Sequence, residues 1–182
     1  MNIPRDVFIN SMSAATCAGN TIEATFESIL AGKTGVQKNI DYHSADVAIG
    51  VLDNKKTFDE HLKDTLASLK LQNRDKKTFL LVGSSVGGML HTENLALANN
   101  LREFSAQKHA ISSITDTINS FYPFADSISF STACTSSANA LIFGYELIKS
   151  GAYDRVVVVG ADSIARTTVQ GFHSLGVLSA NA

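Results

Sequence analysis

The sequence is poor in cysteine: Cys17 and Cys134 are the only two among 182 residues. That excludes a disulfide framework and points to a protein of a reducing, cytoplasmic compartment. Long apolar runs are missing too. None approaches the roughly 20 residues of a membrane-spanning helix, so no span is expected. The opening stretch, MNIPRDVFINSM, lacks the long apolar core of a signal peptide. Neither sign of charge dominates. Lys and Arg number 15 against 17 Asp and Glu, a net charge of −2, which leaves no footprint for nucleic acid or an anionic membrane. Repeats, low-complexity tracts and linker-like stretches are also lacking, so the chain reads as one domain, residues 1–182. No motif calls for a cofactor or a metal. With 45% hydrophobic and 18% charged residues, the chain is not disordered and is long enough to bury a substantial core.

What is present is an alternation of strand and helix signals. Residues 6–10 (DVFIN) read as a strand. Asn20 is a candidate cap for a helix through TIEATFESILAG, where Ile22, Phe26, Ile29 and Leu30 recur at helical spacing and Gly32 supplies the stop. Residues 45–52 (ADVAIGVL) form a short strand pattern, and in residues 57–71 Phe58, Leu62, Leu66 and Leu69 share a helical face. TFLLVG, Thr78–Gly83, is almost wholly apolar, the composition of a strand buried on both faces. Helical segments around 90–101 and 111–121, an alternating strand at 127–131, and a second apolar strand, RVVVVG, complete the series. The expected class is α/β, with a mixed or mostly parallel sheet covered by helices on both sides.

Cys134 lies in SFSTACTSSANAL, residues 129–141, just after a strand pattern. Behind it Ala138, Leu141, Ile142, Tyr145 and Ile148 make an apolar helical face, and Gly151 supplies the stop. Cys134 is therefore expected at or just before a helix N-terminus, where unpaired amides and the positive end of the dipole gather. Such a position lowers a thiol pKa and favours the reactive thiolate. Small flanking residues let a substrate thioester approach the backbone, and the Cys134 N–H is placed to donate to an oxyanion. The competing reading of a lone cysteine is a small buried hydrophobe. Cys17, in the loop SAATCAGN, keeps that reading, because nothing near it would activate a thiol. For Cys134 the strand, small-residue turn and helix start agree on a nucleophile. An α/β-hydrolase elbow wants glycine two residues to either side, where Thr132 and Ser136 stand. A papain-like pair needs a histidine, but His43, His61, His91, His109 and His173 lie in no supporting motif.

STACTSSANAL, residues 131–141, resembles the active-site segment of the β-ketoacyl-[acyl-carrier-protein] synthases, the condensing enzymes of fatty acid and polyketide synthesis. Three further stretches resemble the same family in the same order. CAGNTIEATFESILAGKTGV (residues 17–36) resembles its first loop and helix. VGSSVGGM (82–89) resembles its glycine-rich turn, and GFHSLGVLS (171–179) the segment leading out of its N-terminal half. The flavour is that of the elongating type II enzymes. The resemblance implies a thiolase-type fold and a ping-pong reaction. The cysteine takes an acyl group from acyl carrier protein, and decarboxylated malonyl-carrier protein then attacks it. By position Cys134 matches the nucleophile, Val86 a wall of the acyl pocket and Phe172 a phenylalanine lining it. By residue type alone, Val86 and Phe172 are equally ordinary packing.

The departures carry their own expectations. The sequence stops at Ala182, where the family continues into a half bearing two histidines, a lysine and a glycine-rich oxyanion loop. The chain is thus expected to be a fragment, a truncated form or a split gene product, inactive in condensation alone. The segment from Gly50 to Gly83 is short and lacks a recognisable basic helix for the carrier protein. YPFADS (122–127) replaces a glycine-containing turn. A homodimer or a ketosynthase-type heterodimer is expected. A non-catalytic chain-length-factor partner is the alternative, although such partners typically replace the nucleophile that Cys134 retains. A degradative thiolase acting on coenzyme A esters fits the TACTSS flank less well. A structural α/β domain with a buried cysteine does not account for four ordered landmarks.

Overall fold

Helices and strands alternate along the chain as the apolar spacing predicts. In a computed structural model the elements are α1 (Ile22–Leu30), β1 (Val36–Asn39), β2 (Val47–Gly50), α2 (Phe58–Ser68), β3 (Thr78–Gly83), α3 (Met89–Leu97), α4 (Ala106–His109), α5 (Ser113–Phe121), β4 (Asp126–Phe130), α6 (Ser136–Lys149), β5 (Arg155–Gly160) and α7 (Arg166–Ser174). The structure describes residues 5–39, 47–52, 55–69, 71 and 78–179. The chain divides into two units, Met1–Asn10 with Leu71–Ser163, and Ser11–Lys70 with Ile164–Ala182.

The first of these units is built on a parallel sheet in the order β4-β3-β5. All six residues of β3 are buried, as its apolar composition predicts, and Leu80, Leu81 and Val82 are fully so. Register assigns the faces, because neighbouring residues of paired strands point the same way. Leu81 stands beside Ile128 and Val158, whereas Leu80 stands beside Ser127 and Val157. On the first face Phe79, Leu81, Phe130, Val156 and Val158 pack with Ala140 and Leu147 of α6. On the second, α5 is tied to β4: Thr115 Oγ1 lies 2.6 Å from Ser129 Oγ, and Asn119 Nδ2 donates to Ser127 Oγ at 3.1 Å. The sheet is therefore covered on opposite faces by α6 and α5. β5 departs from its expected burial. Only Val157 is buried, because among the described residues β5 is an edge of this sheet.

Two further sequence expectations fail here. Residues 6–10 form no strand, and Phe8 and Ile9 are 81% and 70% exposed. A strand needs a neighbour to complete its ladder, and among the described residues this segment has none. Arg5 instead ties the segment down. Its N–H donates to Lys149 O at 3.3 Å, and its guanidinium pairs with Asp154 at 2.5 Å. The second failure is the face of α6. Leu141, Ile142 and Tyr145 are exposed, while Ser136, Ala140 and Gly144 are the buried residues. A Cβ built on Gly144 would lie 3.1 to 3.2 Å from Val156, Leu81 and Val158. At Gly144 the helix rests so close to the sheet that no larger side chain fits beneath it, and Leu147, one turn on, is only partly buried.

In the second unit β1 and β2 pair antiparallel, from Val36 opposite Gly50 to Asn39 opposite Val47. β1, with the polar sequence VQKN, carries no apolar alternation and so left no signal in the sequence. Val47, Ile49 and Val169 form a small core with Val51, Ile164 and Leu178 against it. Of the strand expected at 45–52, residues 45 and 46 lie outside the described residues, and Val47–Gly50 is strand. The cap of α1 is Thr21, one residue beyond Asn20, and its side chain accepts from the Ala24 N–H. Gly32, at φ +70°, ends α1 as expected. No residue of α1 is buried: Phe26, Ile29 and Leu30 are all exposed. α2 opens with a capping box. The Thr57 N–H donates to Glu60 Oε2 at 2.7 Å, and the Glu60 N–H donates to Thr57 Oγ1 at 3.3 Å. The Thr57 N–H holds the Glu60 carboxyl below its ordinary pKa, aided by the Thr57 hydroxyl. Leu62 and Leu66 are the buried residues of α2.

Candidate active site

Cys134 occupies the turn between the end of β4 at Phe130 and the start of α6 at Ser136. The turn is strained. Ala133, directly before the cysteine, has φ +53°, a conformation that costs a non-glycine residue roughly 1–3 kcal/mol. The Ala133 carbonyl is held by three donors: Ser136 Oγ at 2.6 Å, Ser136 N–H at 3.0 Å and Ser85 Oγ at 3.1 Å. The Thr132 N–H donates to Ser136 Oγ at 2.9 Å, Thr135 Oγ1 to Thr132 O at 2.7 Å, and Asn139 Nδ2 to Thr132 Oγ1 at 2.8 Å. The hydroxyl-rich flank of the cysteine is thus the wiring of the turn. Cys134 itself is exposed, so it is not a small core residue.

The ends of three strands meet at this turn. A Cβ on Gly83 would lie 2.5 Å from Ser137 N and 2.6 Å from Ser136 C, and one on Gly160 would overlap Ser137 Oγ. Glycine at the ends of β3 and β5 lets the first turn of α6 sit directly on them. The loops after β3, β4 and β5 therefore share the carboxyl end of one parallel sheet, where open α/β sheets place their ligands. Asp162, just after β5, spans two of these loops. Its Oδ1 accepts from Ser84 Oγ at 2.7 Å, Ser85 N–H at 2.7 Å and Val86 N–H at 3.1 Å. The buried Ser84 hydroxyl also accepts from the Gly87 N–H at 2.9 Å.

Residues 54–182 match the family model described as beta-ketoacyl synthase, N-terminal domain. The chain belongs to the beta-ketoacyl synthase family. "Probable polyketide synthase 14" of Dictyostelium discoideum is 31% identical over 108 residues, which is 58% of this chain and 4% of that protein. The fold is similar to that of a ketosynthase, ApeO, solved in complex with its chain length factor ApeC from Xenorhabdus doucetiae. The TM-score is 0.75 at 20% identity, over 93% of this chain and 51% of that one. This likeness establishes the thiolase-like α/β fold. The synthase-family chain spans about half the length of that ketosynthase and a small part of the polyketide synthase.

The structure brings Cys134 and Val86 to the same sheet end, in loops joined through Ser85 and Ala133. Val86 is half-buried. Phe172 belongs to the other unit, on α7, where it is 47% exposed and Val169 is the buried residue. Among the described residues the Cys134 thiol has no hydrogen-bond partner. Of the histidines of its own unit, His109 Nδ1 lies 2.9 Å from Thr92 Oγ1, and His91 is on α3, where its Nε2 is buried with no hydrogen-bond partner among the described residues. His61 and His173 are on α2 and α7 of the other unit, and His43 lies outside the described residues. Cys17 is a packing residue, as its loop suggested. It is half-buried, its thiol donates to Thr34 O at 3.4 Å, and a Cβ on Gly50 would collide with its sulfur. Among the described residues no cluster of His, Cys, Asp and Glu could hold a metal, and no helix is long and apolar enough to cross a membrane.

Asp162 and Ser85 escaped the sequence reading. The available signal was positional: each follows a strand of the same parallel sheet, Ser85 after Gly83 and Asp162 after Gly160.

Proposed function

We propose that this chain is the N-terminal half of a β-ketoacyl-acyl-carrier-protein synthase, with Cys134 as the nucleophile. The observation that carries the reading is the exposed cysteine on a strained, hydroxyl-braced turn between β4 and α6, in a chain of this family. The Cys134 thiolate attacks the carbonyl carbon of an acyl thioester on acyl carrier protein. The new S–C bond forms, the carrier thiolate leaves and takes up a proton. Malonyl-carrier protein then loses CO2, and its enolate carbon attacks the acyl-cysteine, releasing the β-ketoacyl product and the Cys134 thiolate. Val86 and Phe172 take the roles the family resemblance gives them, walls of the acyl pocket. The residues that stabilise the enolate come from a second half of the synthase.

The reading is tested by acyl loading. Incubated with an acyl-carrier protein, the chain is expected to gain one acyl mass on the Cys134 peptide, with Cys17 unmodified and no adduct in Cys134→Ala. Brief iodoacetamide labelling is expected to favour Cys134 as well, since it is exposed and Cys17 is half-buried. An adduct on Cys17 alone, or equal labelling of both thiols, would count against a nucleophile at Cys134.

The presence of a chain length factor beside ApeO supports a second reading, a non-catalytic partner subunit. Retention of an exposed Cys134 favours the catalytic one, and acyl loading separates them. Either way, association with a second ketosynthase-type chain, the same or different, is part of the proposal. Leu141 and Ile142 on α6 are 54% and 61% exposed, and large apolar side chains left in solvent side by side support an association surface there. Sedimentation is expected to show a dimer or larger species. A monomer that persists across the concentration range would rule out self-association.

A further inference from the structure

We infer that Asp162 is a positioning residue for Cys134, acting through Ser85 on the Ala133 turn. The inference rests on the proposed nucleophile and adds a residue that the motif around the cysteine does not contain. One carboxylate oxygen, Oδ1, gathers Ser84 Oγ, the Ser85 N–H and the Val86 N–H within 2.7 to 3.1 Å. These are charge-assisted bonds to an acceptor that follows β5, made by donors that follow β3. They fix the backbone of Ser85, and its hydroxyl then reaches across to Ala133 O at 3.1 Å. Ala133 is the residue at φ +53° on which the direction of Cys134 depends. Three loops from three adjacent strands are thereby joined in one chain of contacts: Asp162, Ser84 to Val86, and Ala133. The same carboxylate sets Val86, so the nucleophile and the proposed acyl-pocket wall are held by a common anchor.

Asp162 is itself exposed, so water can partly replace it, and the expected effect is on alignment rather than folding. In Asp162→Ala, amide exchange at Ser85 and Val86 is expected to accelerate about tenfold, since both N–H groups lose their acceptor. Acylation of Cys134 by an acyl-carrier protein is expected to slow about tenfold through misplacement of the reacting atom. Alkylation of Cys17 serves as the control and should stay unchanged, and the far-UV circular dichroism spectrum should match that of the wild type. Asp162→Asn, whose Oδ1 can accept from the same three donors, should recover most of both effects. Ser85→Ala should slow acylation while leaving the Val86 amide protected.

Unchanged exchange in Asp162→Ala overturns the inference, as does faster exchange with acylation at the wild-type rate. Asp162→Asn behaving like Asp162→Ala overturns it too. A wild-type chain that is never acylated removes the nucleophile reading and with it the positioning role. The exchange data would still report whether the Asp162 contacts exist.

Discussion

The 182-residue chain alone is expected to form no measurable β-ketoacyl product from acyl- and malonyl-carrier protein, even when Cys134 carries an acyl group. Condensation asks more of a site than a nucleophile. The departing CO2 leaves an enolate, and the tetrahedral intermediate at the acyl-cysteine develops an oxyanion. Losing one preorganised oxyanion donor costs about 2.7–4 kcal/mol, or 10²–10³ in rate. The Cys134 thiol has no histidine partner among the described residues, and His109 is bonded to Thr92. The chain matches about half of a ketosynthase of this fold. Supplying the other half, fused or as a separate chain, is expected to raise turnover from background by at least about 10³, as several such donors are restored together. Cys134→Ala in the completed enzyme should return it to background. The assay is product formation from the two carrier-bound substrates. Robust turnover by the 182-residue chain alone would falsify the half-enzyme reading.

Gly83→Ala is expected to lower stability by about 1–3 kcal/mol or more, the range for forcing extra atoms into a filled site. The added methyl would lie 2.5 to 2.6 Å from Ser137 N, Ser136 C and Ser137 Cα. These are backbone atoms, so a rotamer change cannot relieve the clash, and the first turn of α6 must lift from β3. Cys134 sits at the head of that turn, so its acylation should fall as well. Gly171→Ala is the matched control. Gly171 lies inside α7, a Cβ there meets nothing within 4 Å, and the substitution should stabilise by up to about 1 kcal/mol through helix propensity. Urea unfolding of both variants measures the contrast. Equal midpoints for Gly83→Ala and wild type would mean that α6 is not seated on β3 as described.

The local features were legible in the sequence because they depend on nearest neighbours. The almost wholly apolar run at Thr78–Gly83 is a central strand, and Gly32 and Gly151, at φ +70° and +78°, stop their helices. The strand, small-residue turn and helix around Cys134 fall where spacing and composition put them. Tertiary structure decided what those elements face. Hydrophobic spacing marks an apolar stripe on a helix but carries no information on how near the next element lies. Where glycines end β3 and β5, α6 comes too close for Leu141, Ile142 or Tyr145. The buried stripe is Ser136, Ala140 and Gly144 instead. Residues 6–10 have strand composition and no strand, because a ladder needs a partner that composition does not supply. Asp162 reaches Ser85 across 77 positions of sequence. No periodicity spans that distance, and only the parallel pairing of β3 with β5 brings the two loops to one edge.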